Sequence, residues 1–440
     1  ARVYCSCAGI GDNVMHILFP VLHRPTKPTG VCRHAANLAK CLAKQNNVTA
    51  VTVVTGTWQR DYFEDTFGLA DEKINLIGVD IKNSSVSRNL WFLFGLPKLV
   101  SRVKPTLVHI SFPFPFIRQR FDCPVVSTLH DLYPYECPEN FGFPQVWFNR
   151  MFLDQCIRNS DGIACVSAVT LQVLEQYFGN VTKRKNKAVV YNYVDFSDVL
   201  PSWPHQFGSD TQDQKTGFLM SVAQHRKNKN LDLLIQAFAQ LRQTGKLVTE
   251  SQLVIVGSPG PETEILNSLI ERLELTGKVK MLSSISDGEL CWLYQKTQLF
   301  VIPSSTEGFC IPLVEALSLG AKAVCSDIPI FREVGSANHC QFFDLTMEET
   351  ETHSKANQAG VDNNRISKTE EKNIQNLAAA MTIAIETAVE SPLVLAGSNY
   401  SAKAATTANW QNSEVSRSTD QRFTQTTVAE AYLTFYQALV

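Results

Sequence analysis

The sequence predicts an α/β chain made of two doubly wound, Rossmann-like domains. Two series of short, continuously apolar runs alternate with stretches of helical spacing, the pattern of parallel strands covered by helices on both faces. A polar break containing Pro and Gly, residues 201–217, separates the two series. At roughly 150 residues per domain, 440 residues also suit two or three cores.

The first series opens at Met15. HILFPV, VTAVTVVTG, KINLIGVDI, TLVHIS, PVVSTLH, GIACVS and AVVYN read as buried strands. RHAANLAKCLAKQ and QVWFNRMFLDQCIRNS carry helical spacing between them. The second series runs through GFLMSVA, LVIVG, KVKMLSS, LFVIPS and AKAVCS, with helices at NLDLLIQAFAQLRQ, TEILNSLIERLEL, GELCWLYQKT and IPLVEALSLG. QFFDL adds a strand and NIQNLAAAMTIAIE a helix, and the polar stretch 346–372 between them reads as a surface insertion. Residues 394–422 are again polar, and VAEAYLTFYQALV closes the chain as an amphipathic helix. The domains are therefore set at 15–200 and 217–428, with a last helix over 429–440. Residues 1–14 lie ahead of the first Met and lack the charged and apolar regions of a secretory signal, so they are expected to be an extra leader.

Composition narrows the function. With 44% hydrophobic and 19% charged residues, the chain has material for sizeable cores and is not a disordered or fibrous type. Forty Lys+Arg against 42 Asp+Glu leave no basic footprint for nucleic acid. The twelve cysteines are scattered, none in a C-x2-C pair, so zinc is not expected and buried reduced thiols are. That usage suits a cytoplasmic protein, and no stretch approaches the ~20 apolar residues of a membrane span.

The strongest local signal is PSSTEGFCIPLVEALSLGAKAVCSDIPIFREVG, residues 303–335. A buried strand ends in a short polar turn, and Gly308 leads into a helix with Pro312 in its first turn, where the missing N–H costs nothing. Backbone amides around Gly308, Phe309 and Cys310 then face an anionic or hydroxyl-rich ligand at the carboxyl edge of a parallel sheet. Glu307 stands at the mouth of the turn, and Glu315 follows after seven intervening residues. A carboxylate accepts two hydrogen bonds from neighbouring sugar hydroxyls. Either glutamate alone would read as a cap or a solvated helix residue; within this segment they read as a site. GIGDNV (9–14) is dismissed as a dinucleotide fingerprint, because it precedes the first strand and lacks a third glycine.

This segment resembles the E-x7-E motif of retaining glycosyltransferases of the GT-B fold, family 4. TGVCRHAANLAKCL (29–42), STLHDLYP (127–134), VVYNYVDF (189–196) and SVAQHRKNKNLDLLIQAF (221–238) resemble further stretches of that family, in the same order. The resemblance implies two Rossmann-like domains facing each other across a cleft, with the C-terminal helix returning to the N-terminal domain. It makes 15–200 the acceptor domain and 217–428 the nucleotide-sugar domain.

Roles carry over to matching positions. Arg226 and Lys229 resemble the basic pair on the donor diphosphate, although the family's usual arginine position is Gln224 here, and Lys227 offers another cation. Glu307 looks like the carboxylate beside the donor sugar and Glu315 like the one holding the ribose. Gly308, Phe309, Cys310 and Ile311 would supply the amides. His130 resembles the active-site histidine, with Asp131 to orient it, and Gly30 the glycine that admits backbone to the diphosphate. The nucleobase would be read by backbone near Leu282–Ser284.

The implied reaction transfers a hexosyl group from a nucleotide sugar to a saccharide or lipid-linked saccharide with retention, needing neither metal nor cofactor. UDP-hexose is favoured as donor, with GDP-mannose behind it, in polysaccharide biosynthesis. A catalytically inactive nucleotide-sugar-binding subunit and a GT-B epimerase are the alternatives. RNLWFLFGLPKLVSRVK (88–104) and FPFPFIRQRF (112–121) mix aromatic and basic residues. They read as a core helix and loop, with peripheral membrane contact by the N-terminal domain as the second reading.

Overall fold

The structure is a computed structural model that describes residues 14–26, 30–138, 141–194, 196, 199–207, 217–335, 339–346, 367–389 and 420–440. The leader (except Val14), most of the 346–372 insertion and the stretch 394–419 lie outside the described residues. The chain divides into two compact units, Ala1–Tyr193 with Gln421–Val440, and Val194–Asp420.

Unit 1 is an all-parallel sheet in the order β3-β2-β1-β4-β5-β6-β7. Its strands are β1 (Met15–Pro20), β2 (Val48–Gly56), β3 (Ile74–Val79), β4 (Leu107–Ile110), β5 (Val125–Leu129), β6 (Gly162–Cys165) and β7 (Asn186–Val189). The connecting helices are α1 (Val31–Ala43), α2 (Arg60–Phe67), α3 (Ser85–Leu90), α4 (Leu96–Val103), α5 (Tyr133–Glu136), α6 (Gln145–Asn159) and α7 (Ala168–Thr182). A widened turn, Trp91–Gly95, joins α3 to α4. Val, Ile, Leu and Phe dominate β1, β2, β4 and β5 because helices bury the sheet on both sides.

Unit 2 repeats the plan in the order β10-β9-β8-β11-β12-β13, again all parallel. Its strands are β8 (Phe218–Val222), β9 (Gln252–Val256), β10 (Val279–Leu282), β11 (Leu299–Ile302), β12 (Ala323–Ser326) and β13 (Cys340–Phe343). Its helices are α8 (Leu231–Gln243), α9 (Thr263–Arg272), α10 (Asp287–Lys296), α11 (Ile311–Ser318), α12 (Pro329–Val334) and α13 (Lys368–Val389). Leu233, Leu234, Phe238 and Leu241 of α8 pack with Leu377 and Met381 of α13 on one face of this sheet.

Every strand read from the sequence is present. Helices α2, α5, α7 and α12 were not singled out there; the longest, α7, is started by Ser167, which accepts a hydrogen bond from the Thr170 N–H at 2.9 Å, an ordinary N-cap. The units part at Val194, ahead of the 201–217 break. The reason is that 202–207 adheres to α10. The Ser202 N–H donates to the Gly288 carbonyl at 3.0 Å, the His205 N–H donates to Glu289 Oε1 at 2.9 Å, and Trp203 packs on Trp292.

The last helix, α14 (Gln425–Gln437), belongs to unit 1. Thr424 caps it, so it starts four residues before the sequence pattern sets it. Its Val428, Tyr432, Leu433 and Tyr436 enter the core beside Ala35, Ala36 and Ala39 of α1, whose small side chains leave room for the rings. Gly162 is glycine for the same reason. A Cβ there would lie 2.6 Å from Leu439 Cδ1 and 2.8 Å from Phe435 Cζ. The described cysteines are all reduced thiols, and all but Cys123 are buried.

Candidate functional site

In an open parallel sheet, ligands bind at the carboxyl edge where the strand order reverses. In unit 2 that point lies between β8 and β11, and the loops leaving these two strands carry most of the expected residues. After β8 the chain passes Gln224 and Arg226 and makes a tight turn at Lys227–Lys229 before entering α8. After β11 it runs through Pro303–Cys310 into α11.

These loops meet. Lys229 Nζ lies 2.6 Å from Glu307 Oε1, with side-chain exposures of 14% and 8%. Ser304 Oγ donates to the same carboxylate oxygen at 2.8 Å. Lys227 turns outward to Asp232 at 3.2 Å, which leaves Lys229 as the inward cation of the turn. Arg226 opens the turn half-buried, its N–H donating to the Gln224 carbonyl at 2.8 Å.

Cys310 enters α11 with φ 66° and ψ 68°, a left-handed conformation that costs a non-glycine residue roughly 1–2 kcal/mol. Such strain persists where a site needs the backbone shape. Here it starts a helix that no side chain caps, with Pro312 in its first turn. Gly308, Phe309 and Cys310 are buried, so the turn is held rigidly. Burial pushes the Cys310 thiol well above its ordinary range, which favours the neutral thiol.

Glu315 lies on α11 and is 9% exposed. Tyr294, fully buried on α10, donates its hydroxyl to Glu315 Oε2 at 2.9 Å. Burial, and then the Glu315 charge, raise the tyrosine well above its ordinary range, so it remains a donor. Nothing local marks Tyr294 in CWLYQK, where it reads as one more apolar position. Leu282 ends β10 beside Gly257, its carbonyl accepting the Gly257 N–H at 2.9 Å, and Ser284 follows with φ 57°.

Gly30 and His130 belong to unit 1 and form a second constellation, flanking that sheet's own reversal between β1 and β4. Gly30 precedes α1 with φ 60° and ψ −113°, a combination only glycine adopts easily, and open space surrounds its α-carbon. One turn on, His34 is buried and its ring packs edge-on against His130 at 4.6 Å. His130 Nε2 donates to the Ser111 carbonyl at 3.1 Å, which fixes the neutral tautomer and leaves Nδ1 with its lone pair. Burial lowers His130 to about 4. The backbone of Ser111 thus orients the ring. Asp131, expected in that role, accepts from the Tyr133 N–H at 3.1 Å. His34, a second histidine at this edge, was not singled out in the sequence.

Among the described residues no three His, Cys, Asp or Glu side chains gather as a metal ion would require. None of the described helices is long and apolar enough to cross a membrane.

Residues 28–198 match the model described as Glycosyltransferase Family 4, and residues 205–346 match Glycosyl transferases group 1. The chain is 26% identical over 319 residues to the O-antigen chain mannosyltransferase RfbU of Salmonella typhimurium, covering 70% of this chain and 80% of that protein. It is 25% identical over 327 residues to the O-antigen chain mannosyltransferase B of Escherichia coli, covering 70% and 81%. Among solved structures, WaaG, a glycosyltransferase involved in lipopolysaccharide biosynthesis, superimposes with a TM-score of 0.59 at 16% identity, over 85% of this chain and 93% of that one.

Proposed function

This chain belongs to the glycosyltransferases of the GT-B fold, and on that premise we propose that it transfers a mannosyl group, with retention, from a nucleoside-diphosphate donor to a saccharide acceptor in bacterial polysaccharide assembly. The observation that carries the donor site is the part-buried Lys229–Glu307 pair in the loop that leads to the uncapped start of α11, with Glu315 eight positions along. The choice of mannose rests on the two O-antigen mannosyltransferases. It displaces the UDP-hexose favoured from the sequence.

The chemistry follows from charge. The bond from the sugar's anomeric carbon to the diphosphate oxygen breaks as the bond to the acceptor oxygen forms. Negative charge builds on the departing phosphate oxygen until that oxygen takes up the acceptor's proton, so the nucleoside diphosphate leaves with the donor's own net charge. Lys229, Arg226 and the amides of Gly308, Phe309, Cys310 and Ile311 would stabilise that charge without a metal. Glu307 would hold hydroxyls of the donor sugar. Glu315, oriented by the Tyr294 hydroxyl, would hold the ribose.

Thermal unfolding with GDP, UDP, ADP and dTDP, each without and then with Mg²⁺, tests the donor. GDP is expected to stabilise without metal, by about 2.7 kcal/mol at a hundredfold excess over Kd. Turnover of GDP-mannose should disappear in Glu307→Ala. Stabilisation by UDP alone would overturn mannosyl transfer, and no response to any nucleotide would overturn the active-enzyme reading.

We further infer that unit 1 approaches an anionic lipid surface carrying the acceptor. Most aromatics of the segments 88–104 and 112–121, including Phe92, Phe114, Phe116 and Phe121, are core. Val86, Leu90 and Phe94, spaced four apart on the α3–α4 run, are instead 69%, 52% and 48% exposed. Residues 82–121 hold seven Lys and Arg and no acid. Lys98 and Arg102 border a cavity of about 270 Å³ beside Trp91. Arg118 is paired with Asp161 at 2.7 Å, and an exposed apolar stripe beside the other cations suits a headgroup layer.

A further inference from the structure

We propose that Asn228 and Asn230 are positioning residues of the donor site, zipping the loop after β8 to the loop after β11 so that Lys229 and Glu307 are set in place before any ligand arrives. The proposal rests on the reading of Lys229 as the diphosphate-binding cation.

Asn230 is the clearer of the two. It occupies the N-cap position of α8, where an asparagine ordinarily turns its side chain onto the amides of its own helix. It makes no such bond. Its Nδ2 instead donates across the loop to the Pro303 carbonyl at 2.8 Å, one residue beyond the end of β11. It does so from φ 48° and ψ 41°, a left-handed conformation that asparagine tolerates better than most residues. The amides of the first turn of α8 therefore stay uncapped, next in sequence to Lys229.

Asn228 closes the other side of the turn. It is 4% exposed; its carbonyl accepts from the Ser305 N–H at 2.9 Å, and its Nδ2 donates to the Thr306 carbonyl at 3.3 Å. Three consecutive residues thus meet one short loop. Asn228 holds Ser305 and Thr306, Lys229 pairs with Glu307, and Asn230 holds Pro303. Lysine is a flexible four-carbon stem that loses rotamer entropy when fixed. Two flanking clamps confine its backbone, so much of that ordering is complete before the donor binds, which is how preorganisation strengthens binding.

A double-mutant cycle on the full chain tests this, with GDP and UDP as probes in calorimetric titration. Asn230→Gly keeps the left-handed backbone and removes the bond to Pro303; Asn230→Asp keeps the shape but replaces the donor with an oxygen. Both are expected to weaken nucleotide binding about tenfold, the worth of one hydrogen bond of about 1.4 kcal/mol. Ligand-free Tm should fall by only a few degrees. In a Lys229→Ala background the same changes should weaken binding no further, because the group they position is gone. Wild-type affinity in both Asn230 variants, or the same loss in both backgrounds, would overturn the clamp. If Lys229→Ala itself binds nucleotide as the wild type does, the donor-site reading falls and the clamp with it.

Discussion

At the residue scale, unit 1 depends on histidines that must stay uncharged. His109 is fully buried, its Nδ1 on the Tyr436 hydroxyl and its Nε2 2.7 Å from Thr128 Oγ1. Burial, and then the nearby His130, hold it down at about 3; burial holds His130 at about 4. His34 is lowered well below its ordinary value, chiefly by burial and then by the two other histidines. In the unfolded chain all three titrate near 6.5. Between about pH 4 and 6.5 the unfolded state therefore binds more protons, so stability rises with pH across that window and levels off above it. Calorimetry in matched buffers should show Tm climbing from pH 5 to 7, with proton uptake on unfolding at pH 5. A Tm flat over that range would mean that these rings are open to water.

At the element scale, α14 decides whether unit 1 is whole. Tyr432 and Tyr436 reach Thr128 and His109 on neighbouring strands, so the helix is joined to the sheet by polar bonds within an apolar core. Tyr436→Phe leaves a nitrogen of His109 buried and unpaired, and should cost about 1–3 kcal/mol in chemical denaturation. Leu433→Ala, which opens a cavity without touching that network, should cost about 2–5 kcal/mol. A Tyr436→Phe chain as stable as the wild type would show that the ring packs while its hydroxyl contributes nothing. The helix itself was legible in the sequence from its apolar face. Its partners were not, because His109 and Thr128 lie more than 300 residues away.

At the scale of the whole molecule, charge is distributed against the average. The chain is close to neutral at −2, yet residues 82–121 carry only cations. Flotation with vesicles of phosphatidylcholine alone, or mixed with phosphatidylglycerol, reads whether that asymmetry meets a lipid surface. The expected result is binding to the anionic vesicles only, weakened by salt at constant pH and lost in Leu90→Glu/Phe94→Glu. Equal recovery with both vesicle types, or binding unchanged in the double variant, would remove the membrane from the proposed function.

The sequence by itself determined the two Rossmann-like units, because strands buried on both faces must be apolar throughout and the helices between them must show one apolar face. It also marked Glu307 and Glu315, since a turn glycine, a first-turn proline and spaced carboxylates are local features, while Lys229 and His130 were reached only through the resemblance to the family. The tertiary structure alone decided what those residues touch. Lys229 and Glu307 are 78 positions apart, and they pair because β8 and β11 are neighbours in a sheet whose order no local pattern reveals. Tyr294 on Glu315, Ser111 on His130 and Asn230 on Pro303 were hidden for the same reason. Each is an ordinary residue in its own segment, and its role comes from a partner brought to it by strand order.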